Sequence, residues 1–136
     1  MTEIIVDTNI FIRFFLNDEP KLSITAKEII EGCVAGKYSL AVLPAIFLEI
    51  VWLLKSFYKL PKDEIINKIE SMFQIPNLKF IDEKLVLATV EVFKKYNVDF
   101  VDAFVFANMD GLKIKEIFSF DRDFDKIKGI KRLEKW

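Results

Sequence analysis

Apolar positions along this chain follow two periods: short β-branched runs, and longer stretches that repeat every three to four residues. Glu3-Ile4-Ile5-Val6 is a strand expected to be buried on both faces. Asp7-Thr8-Asn9 follows with turn and cap formers, and a short apolar helix is predicted over residues 10–16. After the loop at residues 17–20, Ser23 or Thr25 caps a helix to about Ala35, with Ile24, Ile29, Ile30, Cys33 and Val34 inward and Gly36 as its stop. A second strand is read over residues 38–42. Pro44 then opens a helix to about Tyr58, and Pro61 another through Phe73. Residues 78–81 form a third strand, and residues 83–96 an amphipathic helix with Leu85, Ala88, Val92 and Phe93 inward. A nearly all-apolar helix over residues 101–109, stopped by Gly111, leads to a fourth strand at 114–118. A helical turn at 124–127 precedes an edge strand at 130–133. Strands alternating with helices predict βαβ units: an α/β/α sandwich in three layers, with a parallel sheet of four to five strands, in one domain spanning residues 1–136.

Composition narrows the chemistry. The chain of 136 residues has no histidine and one cysteine, Cys33. Ser-His-Asp and Cys-His triads, His/Cys zinc sites and internal disulfides are therefore excluded. Asp and Glu number 21 against 20 Lys and Arg, so no general basic coat exists. The apolar fraction is 52%, above the usual ~45–50%. That surplus predicts a face covered by a second copy of the chain. No apolar run approaches the ~20 residues of a membrane span, and the chain is expected in the cytoplasm.

Most of the acids sit beside lysines on polar helix faces; four do not. Asp7 follows the first strand at its carboxyl end, where open α/β sheets bind ligands, although it is also a natural helix cap. Glu49 interrupts an apolar helix, where a buried carboxylate needs a partner; alternatively it faces outward toward Lys55 or Lys59. Asp102 lies in Phe100-Val101-Asp102-Ala103-Phe104, with Asp99 three residues earlier, and either acid can be the N-cap. Asp121 follows the fourth strand; Asp123 and Asp125 beside it read as a polar turn. Carboxylates gathered at one sheet edge need a counter-charge, and an all-oxygen set suits Mg²⁺ or Mn²⁺.

In order and spacing, Ile4-Ile5-Val6-Asp7-Thr8-Asn9, Leu48-Glu49, Asp99-Phe100-Val101-Asp102-Ala103 and Ser119-Phe120-Asp121-Arg122-Asp123-Phe124 resemble the four motifs of PIN-domain proteins. Over essentially its whole length the chain looks like a small VapC-type toxin endoribonuclease. The resemblance implies a Mg²⁺ or Mn²⁺ site at Asp7, Glu49, Asp102 and Asp121, with Thr8, Asn9, Asp99 and Ser119 in supporting positions. It also implies a homodimer and a cognate antitoxin. Ser119 departs from the more usual Thr but keeps the hydroxyl.

The expected reaction is hydrolysis of an RNA phosphodiester by metal-activated water, leaving a 5′-phosphate. Residues 111–136 carry 8 basic and 5 acidic side chains, and Arg13 and Arg122 flank acidic motifs where they can touch phosphates. Two rivals are an aspartyl-phosphate-forming domain nucleophilic at Asp7, and a non-catalytic signalling or scaffold domain that binds a divalent metal. Asn9 stands where the first would want a second aspartate.

Overall fold

In the computed structural model, which describes residues 1–136, the β-branched and aliphatic runs pair side by side and all strands are parallel. The chain divides into two compact units, Met1–Asp82 and Glu83–Trp136.

In the first unit, β1 (Glu3–Ile5), β2 (Ser39–Val42) and β3 (Leu78–Phe80) form a sheet in the order β1-β2-β3, with Ile4 opposite Leu40 and Val42 opposite Phe80. The burial expected of β1 belongs to β2. All four β2 residues are buried, whereas Ile4 and Ile5 on the edge strand are 44% and 53% exposed. The helices are α1 (Thr8–Phe15), α2 (Pro20–Val34), α3 (Pro44–Trp52) and α4 (Lys62–Phe73). Phe47 of α3 stands edge-on to Phe80 with ring centroids 5.4 Å apart, and Phe73 of α4 reaches the same ring at 4.8 Å. These contacts pin α3 and α4 against β3.

Helix α2 begins earlier than Ser23, because Pro20 sets the helical φ at the first position and Glu19 takes the cap. Its inner face is also turned. Ser23, Ala26, Ile30, Gly32 and Cys33 are buried, while Ile24 and Val34 face solvent. Small residues let α1 approach α2 closely, and Gly32 gives its space to the Tyr38 ring, whose hydroxyl donates to the Ile29 carbonyl at 2.6 Å. Gly36 ends the helix with φ of 76°, a conformation that costs glycine nothing. Helix α3 continues into a wider π-type turn over Leu53–Phe57, closed by the Tyr58 N–H donating to the Leu53 carbonyl at 3.0 Å.

The second unit packs α5 (Glu83–Lys95) along α6 (Phe100–Leu112), with Phe93 edge-on to Phe100 at 5.1 Å. Helix α6 runs through Gly111, and Lys113 takes the left-handed cap at φ 59°. Strand β4 (Glu116–Phe118) pairs in parallel with β5 (Lys131–Leu133), Ile117 opposite Arg132, and a 3₁₀ turn at Arg122–Lys126 connects them. The α/β class and parallel pairing hold, but the five strands form a three-stranded and a two-stranded ladder rather than one continuous sheet. No helix is long and apolar enough to cross a membrane.

Candidate metal centre

In the first unit, the end of β1 delivers Asp7 to the N-cap of α1, where Oδ1 accepts the Thr8 N–H at 2.8 Å. The cap and the ligand roles are compatible, since the second carboxylate oxygen remains for a ligand. Thr8 is 3% exposed, and its hydroxyl oxygen has no hydrogen-bond partner in the protein. A buried hydroxyl left this way signals a bound water or ion. Asp7, Thr8, Asn9 and Arg13 meet Glu49 around a pocket of 270 Å³ that is also lined by Leu53 and Phe57 of the π-type turn and by Tyr58 just after it. Glu49 is exposed to this pocket and not buried in an all-apolar helix. What distinguishes it is therefore its position facing Asp7's pocket, not desolvation.

Arg13 is already engaged. Its Nη1 lies 3.0 Å from both oxygens of Asp18, and its Nε is 3.9 Å from Glu19. The Asp18 hydrogen bond leads in raising the Arg13 pKa. Desolvation pushes the Asp18 carboxyl up, but the hydrogen bond from Arg13, a backbone N–H bond and the Arg13 charge, with a smaller part from Tyr58, outweigh it and hold the carboxyl below its ordinary value.

In the second unit, the carboxyl end of β4 and the first turn of α6 bring acids together. Oxygen atoms of Asp102, Asp121 and Asp123 lie within 4.8 Å of one another. Asp121 is held from both sides: the Ser119 hydroxyl accepts its N–H at 3.0 Å, and its own Oδ1 accepts the Asp123 N–H at 2.9 Å. Asp99 occupies the N-cap position of α6. Arg122 opens the 3₁₀ turn in an exposed position.

Two residues here escaped the sequence reading. Asp123, there assigned to a polar turn, is the third member of the cluster, and Lys126 faces it at 2.8 Å as a partial counter-charge. Arg132 donates to the Ser119 carbonyl at 3.0 Å and grips Asp125 through Nε and Nη2 at 3.0 and 3.2 Å. Hydrogen bonding to Arg132 is the first cause lowering both the Asp125 and the Glu134 carboxyls. The i, i+2 spacing of Asp121 and Asp123 was the one available signal for the first; nothing local marked the second.

The donor set fits a hard cation. It is all oxygen, with no histidine in the chain. Oxygens of Asp102, Asp121 and Asp123 that all lie within 4.8 Å of one another are close enough for the three carboxylates to share one such cation. The sequence matches the PIN domain family over residues 4–130. Ribonuclease VapC6 of Methanocaldococcus jannaschii is 26% identical over 155 aligned positions, which cover 98% of this chain and 97% of that protein.

Proposed function

The chain belongs to the PIN-domain family, and on that premise we propose that it is a divalent-metal-dependent endoribonuclease, the toxin of a toxin–antitoxin pair. The observation that carries the proposal is the gathering of Asp102, Asp121 and Asp123 at the carboxyl end of β4 in a chain of this family. The ribonuclease name of the archaeal relative supports the same activity.

In this proposal Asp7, Glu49, Asp102 and Asp121 hold Mg²⁺ or Mn²⁺, Asp123 assists, and residues 1–136 act as one domain. When bound, the cation supplies Lewis acidity: it lowers the pKa of water and offsets charge developing on the phosphate oxygens. Asp7 and Asp121 each keep one oxygen on a backbone N–H, which fixes the carboxylate plane and leaves the second oxygen for ligation. Asp121 and Asp123 stand ready to accept a hydrogen from the attacking water. Thr8, Asn9, Asp99 and Ser119 support these carboxylates. Arg13 and Arg122 contact phosphates, Arg13 by exchanging Asp18 for the substrate. Attack on phosphorus breaks the P–O3′ bond and leaves a 3′-hydroxyl and a 5′-phosphate.

A homodimer, a cognate antitoxin protein and a cytoplasmic location complete the proposal. The aspartyl-phosphate and scaffold alternatives are not favoured, because the family and the relative both point to a nuclease. The test is to sequence the 5′ ends of RNA cleaved with Mg²⁺ present. Ligatable 5′-phosphate ends are expected; fragments bearing 2′,3′-cyclic phosphates would overturn the mechanism.

A further inference from the structure

The second unit has another concave surface, at the opposite end of its strands from the acids. Asp121 follows the carboxyl end of β4, whereas Lys113 and Lys115 precede its amino end and Lys128 precedes the amino end of β5. Two adjoining clefts of 530 and 380 Å³ open there and share Phe106 and Lys128. Lys113 and Lys115 line the larger cleft, and Lys95 and Tyr96 line the smaller. Lys113, Lys115 and Lys128 make no ion pair within the chain and are exposed. Lys95 rests on the Tyr96 ring, its Nζ 5.4 Å from the centroid. Two acids also line the clefts, but Glu91 is already held by Lys94 at 3.8 Å, which leaves Asp110 alone against four ammonium groups. Lys113 occupies a left-handed cap that glycine would fill with less strain, so an ammonium stands where the backbone alone would favour Gly.

Exposed lysines beside half-buried rings that line a cleft are the chemistry of a single-stranded nucleic-acid track: ammonium groups follow the phosphates, and the exposed parts of the rings meet bases without sequence preference. An acidic protein would find the same charge, but the aromatic pair Tyr96 and Phe106 beside the lysines favours the strand. We infer that this lysine-lined groove is a second RNA-binding surface, which holds the substrate away from the scissile bond. The inference rests on the ribonuclease proposal. From Lys115 to Asp121 is six residues, at most about 20 Å of extended chain. An RNA of ordinary site size, about 4–16 nucleotides, is long enough to matter on that scale.

The test is fluorescence anisotropy of a labelled 12-nucleotide single-stranded RNA in chelator, titrated with the full chain and with the triple variant Lys113→Gln, Lys115→Gln, Lys128→Gln between 50 and 200 mM salt. A second triple variant, Lys21→Gln, Lys37→Gln, Lys84→Gln, controls for net charge. Loss of three phosphate contacts, at about 0.7 each for a single strand, lowers the log–log salt slope by about 2 and affinity by about tenfold or more. The charge control is expected to stay within twofold of the parent. If the groove variant also stays within twofold of a parent that cleaves RNA, the groove is no RNA track, and an acidic protein partner becomes its better occupant. A parent that cleaves no RNA defeats the enzymatic proposal itself, and this one with it.

Discussion

At the scale of the residue, the proposed chemistry turns on carboxylates that repel one another until something neutralises them. Asp102→Asn removes one oxygen charge from the cluster, and cleavage is expected to fall by about 10²–10³-fold, the size of one lost preorganised electrostatic contact. Asp123→Asn, whose charge Lys126 partly offsets, is expected to lose less, about tenfold. Both are checked by initial rates on one labelled RNA at saturating Mn²⁺. The same variants separate a ligand from a structural acid. In chelator, Asp102→Asn is expected to melt no lower than the parent, because like-charge repulsion is relieved. Added Mn²⁺ raises the parent's midpoint by mass action but leaves the variant's nearly unmoved. Equal metal-induced shifts in parent and variant would remove Asp102 from the ligand set. Asp102 was legible in sequence because an acid in an apolar helix stands out. Glu49 was singled out for the wrong reason: its helix, apolar in all its other residues, is not buried all round, and Glu49 is exposed to an open pocket. Asp123 was missed because an Asp in a turn is ordinary, and only the 3₁₀ geometry aims it at Asp102. Arg132 was invisible because its partners lie up to 13 residues away.

At the scale of the element, Arg132 joins β5 to the turn that carries the acids. It holds the Ser119 carbonyl, and the Ser119 hydroxyl in turn accepts the Asp121 N–H. Arg132→Met is expected to loosen that turn and weaken Mn²⁺ binding, read as a higher metal concentration at half-maximal activity, with a smaller change in rate at saturation. The variant also tests the acid limb of stability. Hydrogen bonding to Arg132 lowers the Asp125 and Glu134 carboxyls in the folded chain. Carboxyls lowered on folding stabilise it above their unfolded value, and that stabilisation is lost as pH falls through the lowered folded values. The parent's melting temperature is therefore expected to fall more steeply from about pH 4 downward than that of Arg132→Met, followed by circular dichroism. Parallel acid limbs would show that the pairing contributes nothing. Helix α2 shows why element faces were harder to read than element positions. Its buried side is Ser23, Ala26, Gly32 and Cys33 around a single large residue, Ile30, so apolar bulk pointed the wrong way. Close packing against the Tyr38 ring sets the orientation instead. A methyl at Gly32 would overlap that ring, so Gly32→Ala is expected to cost about 1–3 kcal/mol by chemical denaturation, and much less when Tyr38→Ala is also present.

At the scale of the whole molecule, parallel strands were legible because β-branched runs and helical stretches alternate, and five strands were found where four to five were expected. Their division into two ladders was not legible, since which strands share hydrogen bonds is set by tertiary packing rather than by local pattern. The apolar surplus also acquires locations. Leu22, Ile24 and Trp52 in the first unit are all more than half exposed, on helices whose other sides are buried. Burying such side chains against a second copy removes apolar surface from water at about 25 cal/mol per Å², and a small net charge offers little repulsion against it. Light scattering after gel filtration is expected to return about twice the chain mass of 15.9 kDa at tens of micromolar protein. Trp52→Glu and Ile24→Glu place a charge at exposed positions, so each is expected to fold, and together they shift the mass toward that of one chain. A parent that already runs as a single chain would show that no second copy covers these residues. Mutants that stay dimeric would move the interface elsewhere, to the exposed aromatic side chains of the second unit, Phe118, Phe120 and Trp136.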